Sequence, residues 1–310
     1  MLKRAASAAL AMTLVVGLAA CGSASSGSGD DAGSADASAN AASADASADA
    51  SADSASNGTI EDGVFTVAME CGYAPYNWTQ SDDSNGAVQI KDSTDYAYGY
   101  DVIIAKKIAE AMGCELQIVK LDWDSLVPAV QAGTIDAVIA GQSITSDRLE
   151  MVDFSEPYYY ASIVTLTLAD SDYASAAGVS DLKGATCTSQ LGTIWYDTCL
   201  PQIEDANILA AQESAPAMLV ALESGNVDLV VTDMPTAKAA VVAYPDMKLL
   251  DFEGSGDDFD VSEEEINIGI SVQKGNTALL NQINAVLETM TVDDYNELMD
   301  EAIAVQPLSE

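Results

Sequence analysis

One arginine stands apart among the residues able to do chemistry. Beyond Arg4, Arg148 is the only arginine in 310 residues, in a chain with 11 Lys plus Arg and 49 Asp plus Glu. A guanidinium forks onto a carboxylate through two parallel hydrogen bonds, which the point charge of lysine does not reproduce. Arg148 is therefore a candidate carboxylate anchor; the alternative is a surface ion pair with one of the many acids. Asp233 is the complementary candidate. It follows the apolar run 227–231, at the end of which open α/β sheets place their binding residues. It also precedes Pro235, so it can serve a ligand ammonium, a helix N-cap, or both. Thr193 follows Gly192 at the start of a helix, where free amides favour an anion. The sequence has no histidine, which removes the commonest general base and metal ligand.

The elements that must position these residues begin only after a long preamble. Residues 1–20 read as a signal peptide, with Lys3-Arg4 before an apolar run that is short of the roughly 20 residues of a spanning helix. The run ends in Leu18-Ala19-Ala20-Cys21-Gly22, which resembles the lipobox of bacterial lipoproteins, with Cys21 as the lipidated residue. An ordinary secretory cleavage site is the alternative. Residues 21–57 are almost wholly Ala, Ser, Asp and Gly, with a tandem Ala-Ser-Ala-Asp repeat from Ala42. Nothing there can form a core, so the segment reads as a disordered tether. The expected place is extracytoplasmic, lipid-anchored to the cell membrane. A net charge of −38 repels phosphate backbones and anionic headgroups, which argues against nucleic acid and against any membrane contact besides the anchor.

Past Thr59, short β-rich runs alternate with helical segments, the pattern of an α/β fold. The first series comprises a strand at 64–69, a helix at 102–112 capped by Asp101, a strand at 115–119, a short helix capped by Ser125, and a strand at 135–140. A second series follows Tyr158-Tyr159-Tyr160, with strands at 185–189, 208–212 and 227–231 and a helix at 215–223. A strand at 267–272 and helices at 277–290 and 292–303 close the chain. Two such series imply two lobes. With Cys21 lipidated, four cysteines remain, and an even number permits disulfides in an oxidising compartment. Cys187 and Cys199, twelve apart across a strand-to-helix turn, are the preferred pair over Cys71 and Cys114. The absence of CxxC spacing argues against a metal site.

Several motifs fall in order along this body: Tyr73-Ala74-Pro75-Tyr76, Gly99-Tyr100-Asp101 and Trp123 to Ala129. Next come Ala140 to Arg148, Val152 to Tyr159, Gln190 to Thr193 and Thr232-Asp233. The series resembles the family 3 extracellular solute-binding proteins, the polar amino-acid receptors of ABC importers, over residues 60 to 305. The resemblance implies a two-lobed α/β clamshell of the type II periplasmic-binding-protein-like class, with two parallel-dominated sheets joined by a two-stranded hinge. Lobe one would hold residues 58–160 and 270–310 and lobe two 163–265, with crossovers near Tyr160 and Ile268. A ligand in the cleft would close it.

The same resemblance assigns roles in the cleft. Arg148, helped by Thr193, would hold the α-carboxylate of a free amino acid, and Asp233, Ser143 and the Gly141 carbonyl its ammonium. Gly141 replaces the Ser of some relatives, which leaves no side-chain contact there. Tyr73 and Trp123 match rings that sandwich the ligand side chain; ordinary core packing is the alternative. Glu70 sits where some basic-amino-acid binders carry an acid for the distal cation, and aromatic faces plus a carboxylate suit such a group. Glutamate also occurs there in binders of other polar amino acids. The implied protein is a monomer that hands its ligand to an ABC permease, without catalysis, cofactor or metal. A ligand-sensing receptor domain for signalling, or a dehydratase-like enzyme on the same fold, are the alternatives.

Overall fold

The computed structural model describes residue 60 and residues 62–307. The leader, Cys21 and the tether over 21–57 lie outside the described residues.

The first stretch of chain forms β1 (Val64–Met69), β2 (Gly72–Tyr73), β3 (Asn77–Gln80), β4 (Val88–Gln89), β5 (Tyr96–Tyr98), α1 (Tyr100–Met112), β6 (Glu115–Lys120), α2 (Trp123–Gln131), β7 (Ala137–Val138), α3 (Ser146–Met151) and β8 (Val152–Phe154). The second forms β9 (Ile163–Leu168), β10 (Thr186–Thr188), β11 (Asn207–Ile208), α4 (Ala215–Glu223), β12 (Leu229–Asp233), α5 (Met234–Ala243), β13 (Met247–Leu250) and α6 (Glu263–Ile266). β14 (Ser271–Gln273), α7 (Thr277–Leu287) and α8 (Val292–Val305) end it.

Two five-stranded sheets result, ordered β6-β1-β7-β14-β8 and β11-β10-β12-β9-β13, with a small sheet β2-β3-β5-β4 beside the first. In each large sheet four strands share one direction, as the alternating pattern implies, and one, β14 or β9, runs antiparallel between two of them. The physical reason is the crossing of the chain. β9 and β14 are the strands that arrive from the other sheet, so each enters against the direction of its neighbours. β12 is buried along its whole length, as a strand covered on both faces must be.

The crossing segments lie side by side. Tyr158 N donates to Ile268 O at 2.9 Å, Ile268 N to Tyr159 O at 2.9 Å, and Ser155 N to Ile270 O at 2.9 Å. Gly269 N donates to Gln142 O at 3.0 Å, and a Cβ on Gly269 would press on the Ile144 side chain at 2.7 Å. The closing helices α7 and α8 pack on α1 in the first lobe. Asn284 Oδ1 accepts from Glu156 N at 2.9 Å, and Tyr98 Oη donates to Glu301 Oε1 at 3.3 Å.

Three local expectations change. Gly99, not Asp101, is the N-cap of α1, and the Asp101 side chain turns fully inward. α2 starts at Trp123, two residues ahead of the expected Ser125 cap. Cys187 and Cys199 are not bonded; all four described cysteines are free thiols. Cys187 lies inside β10 and Cys199 at the end of the turn 195–199, each buried beside a different acid, Asp228 and Asp258. Burial pushes the two thiols up to about 11 and about 12, so neither is a ready thiolate for exchange.

Candidate functional site

Arg148 reaches between the lobes. α3 is capped by Thr145, whose Oγ1 accepts from Arg148 N at 3.3 Å. From there the guanidinium donates to Ser143 O at 2.8 Å in its own lobe and to Gly192 O at 2.9 Å in the other. It lies 5.3 Å from the centroid of the Trp123 ring, a cation–π contact. Burial draws its pKa down to about 10, with Asp197 working the other way, so it stays charged at neutral pH. A guanidinium carries five N–H donors. Those not spent on the two carbonyls can fork onto a carboxylate.

Asp233 ends β12 and caps α5, with Oδ1 accepting from Thr236 N at 2.8 Å. Its Oδ2 accepts from Tyr73 Oη at 2.9 Å, across the cleft, and Thr236 Oγ1 donates to the same Tyr73 oxygen at 3.1 Å. The helix-cap reading thus holds without excluding the ammonium role. Burial raises the Asp233 pKa, against the hydrogen bonds from Thr236 and Tyr73. Among the described residues it makes no ion pair. A buried carboxylate without a cation is costly, so the position suits a cationic group.

Gly141 packs against Tyr73, the hydrogen-bond partner of Asp233. Its φ of +66° lies in the left-handed region, and a Cβ would sit 2.9 Å from Tyr73 Cε1 and 3.2 Å from Tyr76 Cγ. Tyr73 in turn stacks on Tyr76 at 4.9 Å. Glycine is therefore required by backbone and by space, which explains why serine does not stand here. Gly141→Ser is expected to lower stability by about 1–3 kcal/mol through strain and overpacking, and to weaken ligand binding with it. Denaturant melts and a ligand titration check both; unchanged values would contradict the packing argument.

Thr193 differs from its expectation. The segment that follows is a five-residue π turn, Trp195–Cys199, in place of the expected α-helix, and Tyr196 N and Asp197 N both donate to Thr193 O. The Thr193 hydroxyl is spent on Gln190 O at 2.7 Å. Trp195 is buried in that turn.

Beyond Trp123 the cleft opens into a cavity of about 530 Å³, lined by Glu70, Asp122, Trp123, Asp124, Leu191 and Glu213 among others. Burial raises Glu70 to about 7; Gln190 lies against it and partly offsets this, while Asp122 and Asp124 raise it further. Glu70 Oε2 and Gln190 Nε2 are both buried, without a well-formed hydrogen bond among the described residues. Four carboxylates around one indole can receive a cation.

Sequence reasoning missed Thr236, Gln190, Asp122, Asp124 and Glu213. The two aspartates flank Trp123 and were visible as its neighbours. Glu213 and Gln190 come from another part of the chain, and only the closed cleft brings them to Glu70.

The chain matches the model of the bacterial extracellular solute-binding proteins, family 3, over residues 65–303. It belongs to that family. Among this family 3 protein's relatives, a probable histidine-binding protein of Neisseria gonorrhoeae is 30% identical over 73% of the chain and 77% of its own length. The arginine-bound form of a truncated ArgBP from T. maritima is 31% identical, with a TM-score of 0.60, covering 74% of this chain and 97% of that one. The ancestral amino-acid-binding protein AncCDT-1, described as a precursor of cyclohexadienyl dehydratase, is 28% identical with a TM-score of 0.63, covering 79% and 97%. Other relatives are named for L-cystine and glutamine.

Proposed function

We propose that this family 3 protein is the binding component of an ABC importer for a cationic amino acid. Lobe one (58–160 and 270–310) closes on lobe two (163–265) around the ligand. Arg148 takes the α-carboxylate, with the amide beside Thr193 as an accessory donor. Asp233, the Gly141 carbonyl and Ser143 take the ammonium. Tyr73 and Trp123 wall the ligand side chain, and Glu70 with its acidic neighbours takes the distal cation.

The observation that supports this best is the order of charges along one chain of contacts. Asp233 touches Tyr73, Tyr73 packs on Gly141, Ser143 meets Arg148, and Arg148 stacks on Trp123 at the edge of the Glu70 cavity. A second anion has no partner there, so dicarboxylic amino acids are disfavoured. The absence of histidine and the amino-acid pattern of anchors favour a receptor that releases its ligand unchanged.

A thermal-shift screen of the purified protein against the twenty amino acids, ornithine, citrulline and cystine tests the reading. A ligand at about 100 times its Kd adds about 2.7 kcal/mol of stability. Shifts are expected with arginine, lysine, ornithine or histidine. A set of shifts confined to glutamine or cystine would remove the cationic specificity, and no shift at all would remove the amino acid.

Cys21 carries the proposed anchor. Cys21→Ala should move the protein from the membrane fraction to the soluble extracytoplasmic fraction, read by fractionation. Retention at the membrane would contradict lipidation.

A further inference from the structure

Asp101 is fully buried and no step above uses it. It does not cap α1, since Gly99 holds that position. Instead it gathers three separate segments of the first lobe. Asn77 Nδ2 donates to Asp101 Oδ2 at 2.7 Å, and Tyr158 Oη donates to Asp101 Oδ1 at 2.6 Å. Each donor passes the constraint on. Asn77 Oδ1 accepts from Cys71 N at 2.7 Å, fixing a residue at φ +52° that stands between Glu70 and Tyr73. Tyr158 Oη accepts from Gly141 N at 3.0 Å.

The helix start is itself clamped in place. Asp101 N donates to Tyr76 O at 2.8 Å and Tyr100 N to Pro75 O at 3.1 Å. Gly99 permits this approach, because a Cβ there would fall 2.4 Å from Tyr76 O. Tyr100 Oη donates to the carbonyl of Tyr158, whose own amide donates to Ile268 in the hinge. The carboxylate is thus tied to the Glu70–Tyr73 turn, to Gly141 and to the crossing strand at once.

We propose that Asp101 is a positioning residue for amino-acid recognition: through Asn77 it holds the turn that carries Glu70 and Tyr73, and through Tyr158 it holds Gly141 in its left-handed conformation. This deepens the proposed function and rests on its reading of Gly141 and Tyr73 as ligand-facing. The titratable groups that face Asp101 are Tyr158, Tyr100, Cys71 and, across the cleft, Asp233. None of these supplies a cation. Burial pushes the Asp101 carboxyl up to about 7, against the hydrogen bonds from Tyr158 and Asn77, and a satisfied buried network of this kind fixes geometry. An amide at position 101 offers one acceptor oxygen where the carboxylate offers two, so either Asn77 Nδ2 faces an N–H₂ or the Tyr158 hydroxyl loses its acceptor.

The test compares Asp101→Asn, Tyr158→Phe, the double variant, and Asp136→Asn as a control. Asp136 is a partly buried carboxylate of the same lobe that accepts from Thr66 N at 2.7 Å, away from the cleft. Calorimetric titration is run below each Tm with L-arginine, L-histidine, L-glutamine and L-cystine, with near-UV circular dichroism reporting the folded fraction. Both single variants are expected to raise Kd by about tenfold or more for every amino acid the wild type binds. The double variant should lie within about twofold of the weaker single, because the two residues act through one relay. Asp136→Asn should lower Tm and leave Kd alone.

Asp101→Asn and Tyr158→Phe proteins that melt earlier yet bind with wild-type Kd would overturn the proposal. Additive losses in the double variant would also overturn it. Tyr158→Phe deletes one oxygen, so it keeps the test open if Asp101→Asn fails to fold. A wild type that binds none of the four refutes the proposed function, and this inference falls with it. Binding by the wild type with unchanged variants refutes the inference alone.

Discussion

Replacing Arg148 with alanine should cost about 2–5 kcal/mol of binding, the scale measured when one partner of a buried charge pair is removed. That is a rise in Kd of roughly 30-fold to several thousandfold. The loss has two sources. The ligand carboxylate would lose its fork, and it would be buried without a counter-charge. The closed form would also lose a tie between lobes, since Arg148 donates to Ser143 O on one side and Gly192 O on the other. Arg148→Lys separates these effects. It keeps the charge and loses the planar fork and the stacking on Trp123, so its affinity should fall between the two. Isothermal titration checks the series, and wild-type affinity in Arg148→Ala would remove Arg148 from the site.

Glu70→Gln should reverse the preference for a cationic side chain, and pH should show why. Burial puts the Glu70 carboxyl at about 7 without ligand, far above the ordinary 4.5. A cationic ligand pairs with the carboxylate form. Its affinity should therefore rise with pH through about 7 and flatten above it, with proton release on binding near neutrality. Stability of the ligand-free protein should move the opposite way. A carboxyl raised on folding binds protons more tightly when folded, so its contribution is full below about 4.5 and is lost as pH rises through about 7. Glu70→Gln should flatten both curves relative to wild type. It should weaken L-arginine by about tenfold or more and change L-glutamine or L-citrulline far less. Equal losses for cationic and neutral ligands would show that Glu70 acts through packing and not through charge.

Much of this architecture is legible in the residues. The strand β1 and the helix α4 fall where the sequence reading puts them, because an apolar run and a helix-stopping glycine, Gly225, are local signals. The rarity of arginine points to Arg148, and Asp233 is marked by its place after a buried strand. What sequence does not show is contact between segments far apart in the chain. Tyr73 and Asp233 are 160 residues apart and hydrogen-bonded. Gln190 reaches Glu70 only because the lobes meet. Asp101 looks like a helix cap from its neighbours, and only the packing of α1 on the Tyr76–Asn77 backbone turns it inward. The Cys187–Cys199 expectation failed for the same reason: spacing says nothing about which way two buried thiols face.

In the proposed function both ends of the ligand are read, the α-groups by Arg148 and Asp233 and the distal charge by Glu70. The most direct measurement is a calorimetric titration of the wild type at pH 8 with L-arginine, agmatine and L-citrulline. Agmatine keeps the guanidinium and lacks the α-carboxylate; citrulline keeps the α-groups and lacks the distal charge. L-arginine is expected to bind at least about 100-fold more tightly than either, each analogue losing one buried charge pair. Agmatine binding as tightly as arginine would contradict the role of Arg148, and citrulline binding as tightly would contradict that of Glu70.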